Sequence, residues 1–202
     1  MTVYTYVVAQ DYGFAPKPFH GACTLATCKP GIRERANVGD YIIGVGCAKR
    51  RRSGHLVYFM HVDDLTTYCK YWNDPRFRSK RPNLHGSKMQ AFGDNIYHRD
   101  SRTRTWRQAN SHHSLRNGRP NPLNVEHDTK SSNVLISFDF AFWGGEGPVI
   151  PNRFRYADGS DLFMGRGYRL VPDRIATRLI AWFRALNQRG YVGAPLDWVR
   201  SA

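Results

Sequence analysis

Acidic residues are scarce in this chain. Against 30 lysines and arginines stand only 16 aspartates and glutamates, so its 202 residues carry a formal net charge of +14 at neutral pH. This imbalance favours a polyanionic partner, because binding releases condensed counterions and long-range attraction speeds encounter. Nucleic acid (DNA or RNA) or a nucleotide is the expected partner, with simple solubility as the other use of the charge. Long apolar runs are missing as well. None approaches the roughly 20 residues that a bilayer span needs, and the opening MTVYTYVVAQ lacks the regions of a signal peptide. A cytoplasmic protein without a membrane partner is expected.

Cysteine is sparse, limited to Cys23, Cys28, Cys47 and Cys69. A chain of this length needs no disulfide staples, so free thiols are expected. No CxxC knuckle is present, which argues against a structural zinc site, and no metal is expected. Also absent are GxGxxG after a strand, GxxxxGKS or GxxxxGKT, HExxH and GxSxG. Dinucleotide, P-loop, zinc-protease and α/β-hydrolase chemistries lose their usual carriers, and no cofactor is expected.

What is present is concentrated in residues 11–33, DYGFAPKPFHGACTLATCKPGIR. Prolines and glycines break both helix and sheet there, while Asp11, Tyr12, Cys23, Thr24, Cys28, Lys29 and Arg33 supply reactive groups. Such density on loop-like backbone marks a candidate site. A short helix is expected within it, over residues 24–28 or 31–36.

Around this segment the pattern is mixed. Residues 3–9 read as an interior strand, and residues 38–47 and 55–62 as a hairpin with Lys49, Arg50, Arg51 and Arg52 at its tip. Those cations suit either phosphate contact or protection of a sheet edge. Residues 65–133 have no helical or strand period and read as a long irregular insertion in a single domain spanning 1–202. Tyr71, Trp72, Phe77, Tyr97 and Trp106 alternate there with Arg76, Arg78, Lys80 and Arg81, either as a stacking and phosphate-binding face or as core rings rimmed by cations. Further on come the paired His112 and His113 and a second pair, His127 and Asp128. Residues 134–142 (VLISFDFAF) read as one strand running into Trp143 and a glycine-rich turn. Residues 173–189 read as an amphipathic helix with Ile175, Leu179, Trp182, Phe183 and Leu186 on one face. Catalytic candidates are Cys28, whose neighbour Lys29 would favour a thiolate, with Asp11, His112 or His113 as acid or base.

The ordered series DYGFAPKPF, GACTLATCKPGIR, VGDYIIGVG, LVYFMHV, YWNDPRF with KRP, FGDNIYH and NSHHS resembles the second of the families called nucleotide modification associated domain, found in phages and bacteria. The resemblance runs over residues 4–151 and implies a context of DNA base hypermodification. The strand entered through VGDYIIGVG, the basic hairpin and the YWNDP segment also resemble the layout of PUA-like domains (EVE, YTH and ASCH). That implies an α+β fold: a curved β-barrel with helices outside and the C-terminal amphipathic helix packed against it.

Three functions are expected from these readings. The first is a nucleotide- or nucleic-acid-binding protein whose pocket holds a base, modified or not. In it Lys29, Arg33 and Lys80 meet phosphate, Asp11, Asp94 and Asn95 bond base or sugar, and Tyr12, Phe14, Tyr97 or Trp143 stack, with Cys23 and Thr24 in the wall. The second is an enzyme of a base-modification or nucleotide pathway using Cys28, Lys29 and Asp11 or His112. The third is an accessory subunit of a modification or defence complex.

Overall fold

In a computed structural model that describes residues 1–198, local chemistry punctuates the chain where it should. Strand β1 (Val3–Val8) precedes the proline-rich stretch, which holds only the short β2 (Cys23–Leu25). Helix α1 (Pro30–Arg35) starts on a proline, whose missing N–H costs nothing at the first helical position. Strands β3 (Tyr41–Gly46) and β4 (Leu56–His61) form the expected antiparallel hairpin. Strand β5 (Asp64–Thr67) leads into α2 (Tyr68–Asn73), a 3-10 segment (Pro75–Lys80) and α3 (Lys88–Ala91), which begins on a Ser87–Gln90 capping box. Strands β6 (Tyr97–Arg99) and β7 (Trp106–Gln108) pair as a second hairpin, and α4 (Pro122–Asp128) is capped by Asn121. Then follow β8 (Asn133–Ser137), β9 (Phe140–Phe142), α5 (Asn152–Arg155), β10 (Arg169–Leu170), α6 (Asp173–Ala185) and β11 (Gly190–Tyr191).

These elements fall into two compact units. Residues 1–12, 36–63 and 137 onward make the first; residues 13–35 and 64–136 make the second. The first is built on a six-stranded sheet in the order β10-β1-β3-β4-β9-β11. Strands β1 and β3 run parallel in register from Val3↔Tyr41 to Val8↔Gly46. Against the sheet lies α6, whose Ile175, Leu179 and Phe183 join Ile43, Phe59 and Trp143 in one apolar cluster. The helical stripe expected from the sequence is therefore core. The glycines after β9 serve close packing of the chain on itself: a Cβ at Gly147 would fall 1.8 Å from the Leu56 carbonyl oxygen, and one at Gly144 2.0 Å from that of Ala194.

Three expectations need correction. The α+β class holds, but the sheet is open, since β10 and β11 are two-residue edges at opposite ends of the strand order. It does not close into a barrel, so the barrel implied by the PUA-like resemblance is not seen. Residues 134–142 are two strands in different sheets, because the amides of Phe138 and Asp139 both donate to Asp63 Oδ2 (2.6 and 3.0 Å) and turn the chain between them. Residues 65–133 are not irregular throughout; they carry several short elements whose lengths are below what periodicity detects.

The second unit contains the three-stranded sheet β2-β8-β5 and the β6–β7 hairpin. With so little regular structure, its buried carbonyls must find side-chain donors. Lys80, 0% exposed, gives its three protons to the carbonyls of Lys17 (3.1 Å), Phe19 (2.8 Å) and Ala22 (2.7 Å). Asn95 donates to the carbonyls of Tyr71 (3.0 Å) and Phe77 (3.2 Å). Polar residues here take the structural place that strands hold in the first unit. No helix among the described residues is long and apolar enough to cross a membrane.

Candidate catalytic site

The turn between β2 and α1 sets up the site. Cys28 and Lys29 are both left-handed, at φ +57° and +43°. For residues with a Cβ this costs about 1–3 kcal/mol each and persists only where surrounding contacts over-determine it. They do so here. The Cys28 amide donates to Asp128 Oδ1 (2.8 Å), and its carbonyl accepts from Arg33 Nε (2.8 Å). Arg33, 0% exposed, spends its other donors on the carbonyls of Ser131 (2.8 Å), Asn133 (2.7 Å) and Asp128 (2.5 Å). One guanidinium thus ties the Cys28 turn to the end of α4.

This clamp brings a thiol, an imidazole and a carboxylate into line. Cys28 Sγ lies 3.7 Å from His113 Nε2, and His113 Nδ1 lies 2.9 Å from Asp128 Oδ2. Asp128 is 0% exposed, and its Oδ2 also accepts from Tyr97 Oη (2.9 Å). Gln108 donates to that same phenol oxygen (3.0 Å). Burial alone would push the carboxyl up, but the bonds from His113, Tyr97 and the Cys28 amide outweigh it and hold Asp128 below the usual carboxylate range. His113 shows the converse. Burial would lower it, yet its bonds to Asp128 and Cys28 raise its pKa to about 9, so the imidazolium persists at neutral pH. The His113 side chain is 16% exposed and Cys28 is half-buried, so the thiol end is open to solvent while the carboxylate is not.

The same three ligand atoms lie within 4.8 Å of one another, close enough to raise the question of a cation. The sulfur faces Nε2, however, whereas the carboxylate holds Nδ1, on opposite sides of the ring. As placed, the three groups form a line of contacts from carboxylate to imidazole to thiol.

The other sequence candidates fall in several places. Cys23 is fully buried, and burial pushes its thiol up to about 12, which makes it inert. Thr24 and Tyr71 both donate to Asp94 (2.6 and 2.9 Å), whose carboxyl is raised by burial. Arg33, Lys80 and Asn95, which sequence assigned to phosphate and base, give their donors to backbone carbonyls. Tyr97 supports Asp128, and burial raises its phenol well above the ordinary range. Lys29 is half-buried, and burial lowers its pKa. Phe14 is buried with its ring 4.6 Å from that of His113 and 5.4 Å from that of His112. His112 also lies edge-on to Phe92 at 5.1 Å, and burial lowers its pKa. Of the histidine pair, then, it is His113 that meets the sulfur.

Asp11, Tyr12 and Trp143 belong to the first unit. Asp11 is buried; its amide donates to Asp197 Oδ2 (2.7 Å) and its Oδ2 accepts from the Leu196 amide (2.9 Å). Asp197 is ion-paired with Arg50 at 2.5 Å. The Tyr12 carbonyl accepts from Trp198 Nε1 (2.9 Å), and Trp143 is buried with its indole N–H donating to Gln188.

Asp128 was legible only as half of a His-Asp pair, without a role. No spacing links it to Cys28, 100 residues earlier. No curated protein and no solved structure matches the chain. A family model does, over residues 1–202: by that match the chain belongs to the family described as nucleotide modification associated domain 2.

Proposed function

We propose that the protein is an enzyme acting on nucleotides, in which Cys28 is the nucleophile, His113 holds and returns its proton, and Asp128 orients the imidazole. The observation that carries this is the Cys28–His113–Asp128 alignment, with contacts of 3.7 and 2.9 Å. A nucleophile, a base within reach of it and a third group fixing the base are the parts of covalent catalysis. Family membership supports a nucleotide as the substrate, since its description points to nucleotide modification. Arg33 and Tyr97 are positioning residues, acting through the Cys28 carbonyl and the Asp128 carboxylate.

A polyanionic substrate fits the charge. The β6–β7 hairpin carries Arg99, Arg102, Arg104 and Arg107 exposed on its end, with Asp100 neutralising only Arg107 (2.9 Å). The base of that hairpin holds Tyr97 and Gln108, so one ribbon joins an arginine-rich tip to the support of the relay.

Competitive alkylation with iodoacetamide tests the assignment. Cys28 is expected to react fastest of the four cysteines and Cys23 slowest, with His113→Asn and Asp128→Asn slowing Cys28 alone. Equal reactivity of Cys28 and Cys69, unchanged by either substitution, would remove Cys28 as the nucleophile.

A further inference from the structure

A sulfur nucleophile directed at a nucleotide has few carbon targets. Sugar carbons need a departing group, and a thiolate adduct at a purine C=N carbon goes forward only by loss of a hydride or a leaving group. In a pyrimidine, C6 is the terminus of a C5=C6 bond conjugated to the group at C4, so it accepts a soft nucleophile directly. The question is whether the site is built for such an addition or for attack on a carbonyl.

One hydrogen bond decides. In acyl transfer of the serine-protease kind, the nucleophile's own amide turns toward the oxyanion that forms on the attacked carbonyl. In this protein the Cys28 amide is already bonded to Asp128 Oδ1 at 2.8 Å. The carboxylate that orients His113 through Oδ2 also grips the nucleophile's backbone through Oδ1. Addition to C6 does not call on that amide, because the electron pair displaced from C5=C6 spreads to C5 and the C4 substituent, away from the carbon attacked. The two-handed grip keeps Sγ and Nε2 in register through such an addition and its reversal.

We infer that the reaction opens with addition of Cys28 Sγ to C6 of a pyrimidine nucleotide, a step that rests on Cys28 being the nucleophile proposed above. With the thiol proton held on His113 Nε2, the S–C6 bond forms, and the C5=C6 π pair moves onto C5 and the C4 substituent. C5 then takes a proton from solvent. Reversal removes the proton first borne by C5, re-forms C5=C6, breaks S–C6 and returns the thiolate. The cycle needs no oxidant, reductant or second substrate, and its visible result is exchange of the C5 hydrogen. His113, held as imidazolium, is placed to stabilise the thiolate each time it is released.

Exchange is read directly. The full-length protein is incubated in ordinary water with dCMP, dUMP and a single-stranded DNA oligonucleotide containing cytosine, each deuterated at C5, and loss of deuterium is followed by mass spectrometry. Acceleration of at least about a hundredfold over buffer is expected for one or more of them, in the range of positioned acid-base catalysis. Exchange in the oligonucleotide alone identifies a polynucleotide substrate, and exchange in a mononucleotide identifies a free one. Cys28→Ala and Cys28→Ser should abolish exchange, and Cys47→Ser should leave it intact. Prior alkylation of Cys28 in the wild-type protein should abolish it in proportion to modification, a control that requires no variant to fold. Selective alkylation of Cys28 without exchange of any probe would overturn the inference while leaving Cys28 as nucleophile. Exchange that survives loss of Cys28 would overturn it as well, and failure of selective alkylation would remove the proposed function itself.

Discussion

His113 offers a prediction whose size and sign both follow from the structure. Its pKa rises from 6.5 to about 9 on folding, because bonds to Asp128 and Cys28 outweigh the cost of burial. That rise corresponds to roughly 3 kcal/mol at about 1.4 kcal/mol per pH unit. A base whose folded pKa lies above its unfolded one holds its proton more tightly when folded. The stabilisation is therefore complete below pH 6.5 and is lost as pH climbs through 9. Replacing His113 by Asn removes it. Urea denaturation of wild type and His113→Asn at intervals from pH 5.5 to 10 should show a stability gap that is widest at the acid end and narrows by roughly 3 kcal/mol toward pH 10. The gap, rather than the wild-type profile, isolates His113. Lys17 and Lys80, whose pKa values burial lowers to about 7 and about 8, act in the opposite sense and gain stability as pH rises. A gap independent of pH, or one that widens toward alkali, would mean that His113 is not charged in the folded protein, and the ion-paired relay would fall with it.

Other perturbations probe the supports. Arg33→Lys keeps the charge but loses the fork that reaches four carbonyls, so urea denaturation should show a loss of about 2–5 kcal/mol, with slower alkylation of Cys28; a change within about 0.5 kcal/mol would refute the clamp. Tyr97→Phe removes one donor to Asp128 and should cost about 1–3 kcal/mol by the same measurement, with Cys28 still alkylated first. Leu179→Ala, in the centre of the α6 stripe, should destabilise by about 2–5 kcal/mol. Thermal unfolding unchanged by that substitution would take α6 out of the core. For the basic hairpin, Arg102→Glu with Arg104→Glu should weaken binding to duplex DNA and flatten the dependence of log affinity on log salt by about 2. An unchanged slope would exclude that tip from the interface.

How much of this was readable beforehand depends on whether a feature is local. The stripe from Ile175 to Phe183, the β3–β4 hairpin and the proline at the start of α1 are local, because period, turn chemistry and caps act over a few residues. The short elements within residues 65–133 escaped notice because they are held by Lys80, Asn95 and Arg33 bonding to distant carbonyls, which leave no period. The split between β8 and β9 was hidden for a related reason: Asp63, remote in sequence, turns the chain at Phe138 and Asp139.

The site divides along the same line. Composition and motif by themselves determined the family, the excess of positive charge and the concentration of reactive groups in residues 11–33, since charge and order of residues need no third dimension. Only the tertiary structure decided which groups act together. It made Arg33 and Lys80 internal clamps, selected His113 over its neighbour, and set Asp128 against both Cys28 and His113. The physical reason is that hydrogen bonds form between atoms near in space, and the Cys28 amide meets the Asp128 carboxylate across 100 intervening positions of chain.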